Sequence, residues 1–258
     1  MSKSMAKHRT WTNDELLVVF RLYCRTPFGR LHQRNPEIIQ LAQSLGRTPS
    51  AVAMKACNFA SLDPVQKARN ISALGNVSRA DRELWMAFEQ NSEAIAADAE
   101  TVYEKLLSQI IEPEDVELEL PEGPTEVERL VRTRRVQGFF RAAVLTSYEL
   151  RCALSDIAIP DLLNASHIIP WSANTERRAD PRNGIALNAL YDRAFDRGFI
   201  TFDESLKLVI SSRLKEGSLS EFQKESFLHI EGKKLRIPYR FDPDPDAMTY
   251  HREKVFRP

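Results

Sequence analysis

Apolar residues at Leu16, Leu17, Val19, Phe20 and Tyr23 recur at the spacing of one helical face, which predicts a first helix ended by Pro27 and Gly29. Thr12 or Asn13 can cap its N-terminus, and Glu15 places negative charge in its first turn. After a basic loop over 25–34, Asn35-Pro36 opens a second helix with Ile38, Ile39, Leu41, Ala42 and Leu45 facing inward, and Gly46 closes it. Thr48 as N-cap and Pro49 at the first helical position start a third helix, whose inner face is Val52, Ala53 or Met54, Ala56 and Phe59. From 78 to 107 runs a long amphipathic helical region with an acidic surface, which reads as a packing or spacing element. Residues 108–126, rich in Pro, Asp and Glu, read as a linker.

The pattern changes in the second half. A helix over about 125–147 packs Val131, Phe139, Phe140, Val144 and Leu145 while gathering Arg129, Arg132, Arg134, Arg135 and Arg141. A short apolar run then closes at His167, and a turn-rich loop with Pro170, Pro181 and Gly184 leads to a second apolar run that begins at Asn183. Phe199-Ile-Thr-Phe and Leu206-Lys-Leu-Val-Ile flank Asp203-Glu-Ser as a hairpin, and Ser220 starts a helix that ends near Gly232. Three parts follow: a helical domain over 1–107, the linker over 108–126, and a second domain over 127–258.

Charge alters this picture more than composition does. The chain of 258 residues is 43% hydrophobic and 28% charged, as globular proteins are, and it has no apolar run long enough to span a bilayer. With no secretory signal at 1–10, a cytoplasmic protein is expected. Its net charge of zero is segregated: residues 1–80 hold 12 Lys and Arg against 4 Asp and Glu, 81–128 hold 2 against 15, and 129–258 hold 22 against 17. Two basic blocks therefore flank an acidic one, and phosphate is the natural partner of the basic faces. Cys24, Cys57 and Cys152 are too scattered for a disulfide framework or a zinc knuckle, and Cys152 reads as a small buried residue.

The stretch Asn164-Ala-Ser-His-Ile-Ile-Pro-Trp171, followed by 180–199, carries the chemistry. Asp192 lies nine residues past Asn183 and Asp196 four beyond that, so a helix over 187–195 would set both carboxylates on one face, one turn apart. Hydrolysis of a phosphodiester needs a base to deprotonate water and a cation to offset charge on the phosphate and the departing oxygen. Neutral imidazole suits the first task near pH 7, and paired carboxylates select a hard ion, Mg²⁺ or Mn²⁺ over Zn²⁺.

This stretch resembles the HNH nuclease motif, in which two antiparallel strands and a helix pinch one metal ion. The resemblance implies His167 as general base, Asn183 as the brace of the loop, and Asp192, Asp196 and Ser166 as the metal side, with one Mg²⁺ or Mn²⁺ per site. Ser166 departs from the pattern, since many relatives have Asp or His there and a hydroxyl is a weak ligand. The lead-in from Arg135 to Ser155 also matches relatives of the restriction type. The fold class expected is α+β: an N-terminal all-helical, helix-turn-helix-like domain followed by a C-terminal ββα-metal HNH nuclease domain.

The order helix, Gly turn, Arg-Thr-Pro-Ser, helix resembles the helix-turn-helix of Myb-like domains, which implies that Arg47, Thr48, Ser50, Lys55 and Asn58 approach DNA. Gln137 and Arg141, one turn apart, are further DNA-contact candidates, and Lys233, Lys234, Arg236, Arg240 and the closing Tyr250-His-Arg-Glu-Lys254 could hold the duplex. The N-terminal region also resembles domains found ahead of HNH modules in bacterial restriction endonucleases, some of which act on DNA bearing 5-methylcytosine. Trp11, Tyr23 and Phe28 are then candidate walls of a pocket for a flipped base, against the plainer expectation that such aromatics form core. The expected partner is double-stranded DNA, with no membrane, and a homodimer follows from one centre cutting one strand. The alternative is a DNA-binding regulator whose HNH unit has decayed.

Overall fold

A computed structural model describes residues 9–69, 77–108 and 124–258, so most of the expected linker at 108–126 lies outside the described residues. The predicted start signals all form. Helix α1 (Asn13–Arg25) begins with a capping box, in which the Glu15 amide donates to the Thr12 hydroxyl and the Thr12 amide to the Glu15 carboxylate. Asn35 caps α2 (Pro36–Ser44) and Thr48 caps α3 (Pro49–Ala60), each with proline in the first turn. A short α4 (Pro64–Ala68) follows.

The region expected as one helical stretch over 78–107 is two helices, α5 (Arg79–Gln90) and α6 (Ser92–Ser108). Asn91 leaves helical geometry, and its side chain accepts from the Ala94 amide at 3.0 Å, so it ends one helix and starts the next. These helices enclose a first core, in which Phe20 meets Phe59 and Phe88 edge-on at ring-centroid distances of 5.2 and 4.8 Å. Ala53 is buried in α3 while Met54 is exposed.

Helix α7 (Pro124–Ser147) belongs to both halves. Val136, Phe139 and Ala143 join the first core, and Phe140, Val144 and Leu145 join a second core. Val131, expected to pack, is exposed. The second core holds an antiparallel pair, β1 (Leu163–His167) and β2 (Gly184–Asn188), followed at once by α8 (Ala189–Asp196), whose N-cap is Asn188. The hairpin β3 (Ile200–Phe202) and β4 (Leu208–Ile210) pairs Ile200 with Ile210. Helix α9 (Glu221–Gln223) runs into a wider helical turn over Lys224–Leu228, and α10 (Pro245–Tyr250) continues the same way over His251–Val255. The architecture is a helical region followed by a mixed β/α region, as the α+β expectation had it.

Arg240 ties the two halves together. It is 1% exposed, and its guanidinium donates to the carbonyls of Tyr23, Cys24 and Thr26, which the end of α1 leaves unpaired. That position corrects the expectation that Arg240 holds duplex DNA.

Candidate active site

The period of two along β1 decides what each side chain can reach. Asn164 and Ser166 share a face and turn to α8, where the Asn164 amide donates to Asp192 Oδ2 at 2.7 Å and the Ser166 hydroxyl to Oδ1 at 2.5 Å. Asp192 is thereby oriented by two donors. Ser166 is 2% exposed, and its proton is committed to the carboxylate, so it acts through Asp192.

His167 lies at the end of β1 opposite Gly184. Its ring stacks on Phe140 of α7, with centroids 3.8 Å apart and planes 14° apart, and Trp171 closes edge-on at 5.4 Å. Gly184 is required there, because a Cβ would overlap Val144 and come within 2.7 Å of Phe140 Cζ. His167 Nε2 lies 3.0 Å from the Arg178 carbonyl oxygen. A carbonyl can only accept, so in the neutral ring Nε2 carries the hydrogen and Nδ1 keeps the lone pair. Burial lowers the imidazole pKa below its ordinary value, with the Arg178 charge adding to that; the carbonyl bond and Asp192 oppose it.

Asn183 is 1% exposed and spans the loop as a staple. Its Oδ1 accepts from the Ile169 amide at 2.8 Å, and its Nδ2 donates to the carbonyls of Ile169 and Arg177 at 3.2 and 3.4 Å. The helical region holds the same loop from outside. Ser92 donates to the Glu176 carbonyl at 2.8 Å, Glu93 meets Arg178 and Glu89 meets Arg182, each at 3.4 Å.

Asp192 and Asp196 sit one turn apart on α8 and, with His167, line a cleft of about 620 Å³. Asp196 is at the rim, its carboxyl pushed up to about 6 by partial burial and then by the Asp192 carboxylate, against the opposing pull of Arg193 and Arg197. Among the described residues no three His, Cys, Asp or Glu side chains gather as a metal cluster. Gln137 is exposed on the cleft wall. Arg141 lines it too, though its guanidinium donates to the carbonyls of Leu163 and Pro160 at 2.7 and 3.2 Å and so fixes the entry to β1.

The helix-turn-helix candidates are placed elsewhere, and the structure corrects most of them. Lys55 is 7% exposed and bonded to Asp81 at 2.8 Å, and Asn58 is buried with its amide on the same carboxylate. Arg47 donates to Glu15 and to the carbonyls of Arg9 and Thr10, with its guanidinium over the Trp11 ring. The face expected to meet DNA therefore packs within the helical region; only Thr48 and Ser50 are exposed, and Thr48 is spent as the α3 cap. The base-pocket expectation is corrected likewise. Tyr23 is wholly buried with its hydroxyl on Asp63, Trp11 is covered by Arg47, and Phe28 packs half-buried against the first core. Cys152 is buried as expected, its sulfur accepting from the Ser155 and Asn188 amides.

Sequence reasoning missed Asn164, Phe140 and Arg178 as site residues. Asn164 was within reach, two positions from Ser166 on one strand face. Arg178 acts through its main-chain carbonyl, for which residue type offers no signal.

A family model described as HNH endonuclease matches residues 152–203, which hold β1, β2, α8 and β3. No curated protein matches the chain. The chain thus contains an HNH-like nuclease domain preceded by a helical region.

Proposed function

We propose that this protein is a metal-dependent endonuclease that hydrolyses phosphodiester bonds of double-stranded DNA in the cleft lined by His167, Asp192 and Asp196. One observation carries the reading: His167 Nε2 is committed to the Arg178 carbonyl, which leaves Nδ1 as the acceptor of a ring on that cleft. The lowered pKa keeps the imidazole unprotonated at neutral pH, as a general base requires. Nδ1 takes a proton from water, the oxygen attacks phosphorus, and the bond to the departing 3′ oxygen breaks.

The donor set fits a hard divalent ion. Asp192 and Asp196 offer only oxygen, and each Asp192 oxygen keeps a lone pair beyond the one used by Ser166 or Asn164. Mg²⁺ commonly takes one or two carboxylates and completes its shell with water and phosphate, so a site without a third protein ligand is no obstacle. Such an ion would offset charge on the phosphate and the leaving oxygen. Asn164 and Ser166 hold Asp192, and Asn183 holds the loop that carries Arg178.

The test is supercoiled plasmid with Mg²⁺ or Mn²⁺. Wild-type protein nicks or linearises it, and His167→Ala abolishes cleavage while DNA affinity stays within a few fold, because the base acts in the transition state. Binding without cleavage by the wild type would favour the decayed regulator instead.

A further inference from the structure

The cleft has a cationic side that the catalytic residues do not use. Arg193 and Arg197 on the α8 side and Arg257 near the C-terminus line it, and all three are exposed. Among the described residues none of the three guanidinium groups has an ion-pair or hydrogen-bond partner. In the same half Arg177, Arg182, Arg236 and Arg240 are all held by carboxylates or carbonyls. Asp192 is turned to Asn164 and Ser166, and Asp196 feels Arg193 and Arg197 through space without forming an ion pair with either.

The position of Arg257 is built into the fold. His251 is buried with its ring stacked on Phe195 at 3.7 Å, one ring nitrogen 2.9 Å from the Thr201 hydroxyl and the other 3.2 Å from the Phe195 carbonyl. From there the Phe256 amide bonds to the His251 carbonyl and the Arg257 amide to the Gly198 carbonyl, both at 2.9 Å. Gly198 has φ +72°, and a Cβ there would run into the Val255 carbonyl, so the C-terminal segment lies directly on the glycine that follows α8. The Arg257 main chain is thus held against Gly198, the residue that follows Arg197.

The geometry points to Arg193, Arg197 and Arg257 as a phosphate-gripping edge that holds the DNA backbone on the α8 side of the cleft, with the C-terminal segment as part of the substrate site. This rests on the nuclease reading above. Two carboxylates alone repel a polyanion, and three unpaired guanidinium groups reverse that balance. A guanidinium fork matches the oxygens of a phosphate, and the phosphates flanking the scissile bond are the ones an edge can reach. Exposed side chains without partners contribute little to folding, so their replacement leaves the fold intact.

The experiment uses the full chain and a duplex oligonucleotide in EDTA, with affinity read by fluorescence anisotropy across a salt series. Arg193→Gln, Arg197→Gln and Arg257→Gln are each expected to weaken low-salt binding several fold. The triple variant should flatten the slope of log K against log salt by about 2.7, at about 0.9 per lost phosphate contact. Arg34→Gln removes an exposed guanidinium of the helical region that does not line the cleft and is the control, compared per charge removed. Slopes that fall equally in the triple and control variants per charge removed, or wild-type protein that does not bind the duplex, overturn the grip. Wild-type protein that binds with the expected slope yet cuts nothing in Mg²⁺ or Mn²⁺ overturns the nuclease reading and leaves the grip standing.

Discussion

Asn183→Ala is expected to damage stability and catalysis through one loop. The carboxamide bonds both the amide and the carbonyl of Ile169, a residue only 8% exposed, and reaches the Arg177 carbonyl as well. Truncation leaves the Ile169 amide without an acceptor where water cannot readily replace one, and an unmet buried group costs about 1–3 kcal/mol. The two Ile169 bonds together give about 3 kcal/mol, which for a chain of this size is a fall in melting temperature of about 6–12 °C. The loosened loop also carries the Arg178 carbonyl, so His167 loses its fixed tautomer and orientation and turnover should drop more than DNA binding. Urea denaturation followed by circular dichroism measures the first effect, and single-turnover plasmid cleavage the second. A loss below about 1 kcal/mol with unchanged turnover would falsify the brace.

Gly184→Ala forces a methyl group into Val144 and Phe140, and overpacking of this kind costs about 1–3 kcal/mol. Because Phe140 is the platform under His167, cleavage should fall further than stability alone accounts for; full activity in a destabilised variant would refute the coupling. His251 has its pKa lowered to about 4 by burial, so the folded state resists its protonation. Its contribution is complete above the unfolded value of about 6.5 and is lost as pH falls from there through about 4, a total of about 3 kcal/mol. Urea midpoints at pH 7 and pH 4 should therefore diverge less in His251→Gln than in the wild type.

The parts of this protein legible in its sequence are those set by neighbours a few residues apart. Thr12, Asn35, Thr48 and Ser220 cap the helices that follow them because a cap reaches an amide within three residues, and Asp192 and Asp196 share a face because a helix repeats every turn. The strand that ends at His167 and the strand that follows Asn183 show in the sequence as short apolar runs set off by turn residues. Charge behaves otherwise. In a sequence Arg47, Lys55 and Arg240 look the same as Arg193, Arg197 and Arg257, yet the first three are buried or spent inside the fold and the second three are exposed on the cleft. What separates them is whether packing brings a carboxylate or an orphaned carbonyl within reach. Lys55 finds Asp81 across 26 residues, and Arg240 finds Tyr23 across 217. No local pattern encodes such a meeting, because a cation's partner is chosen by which helix faces share a core, and only the folded chain brings those faces together.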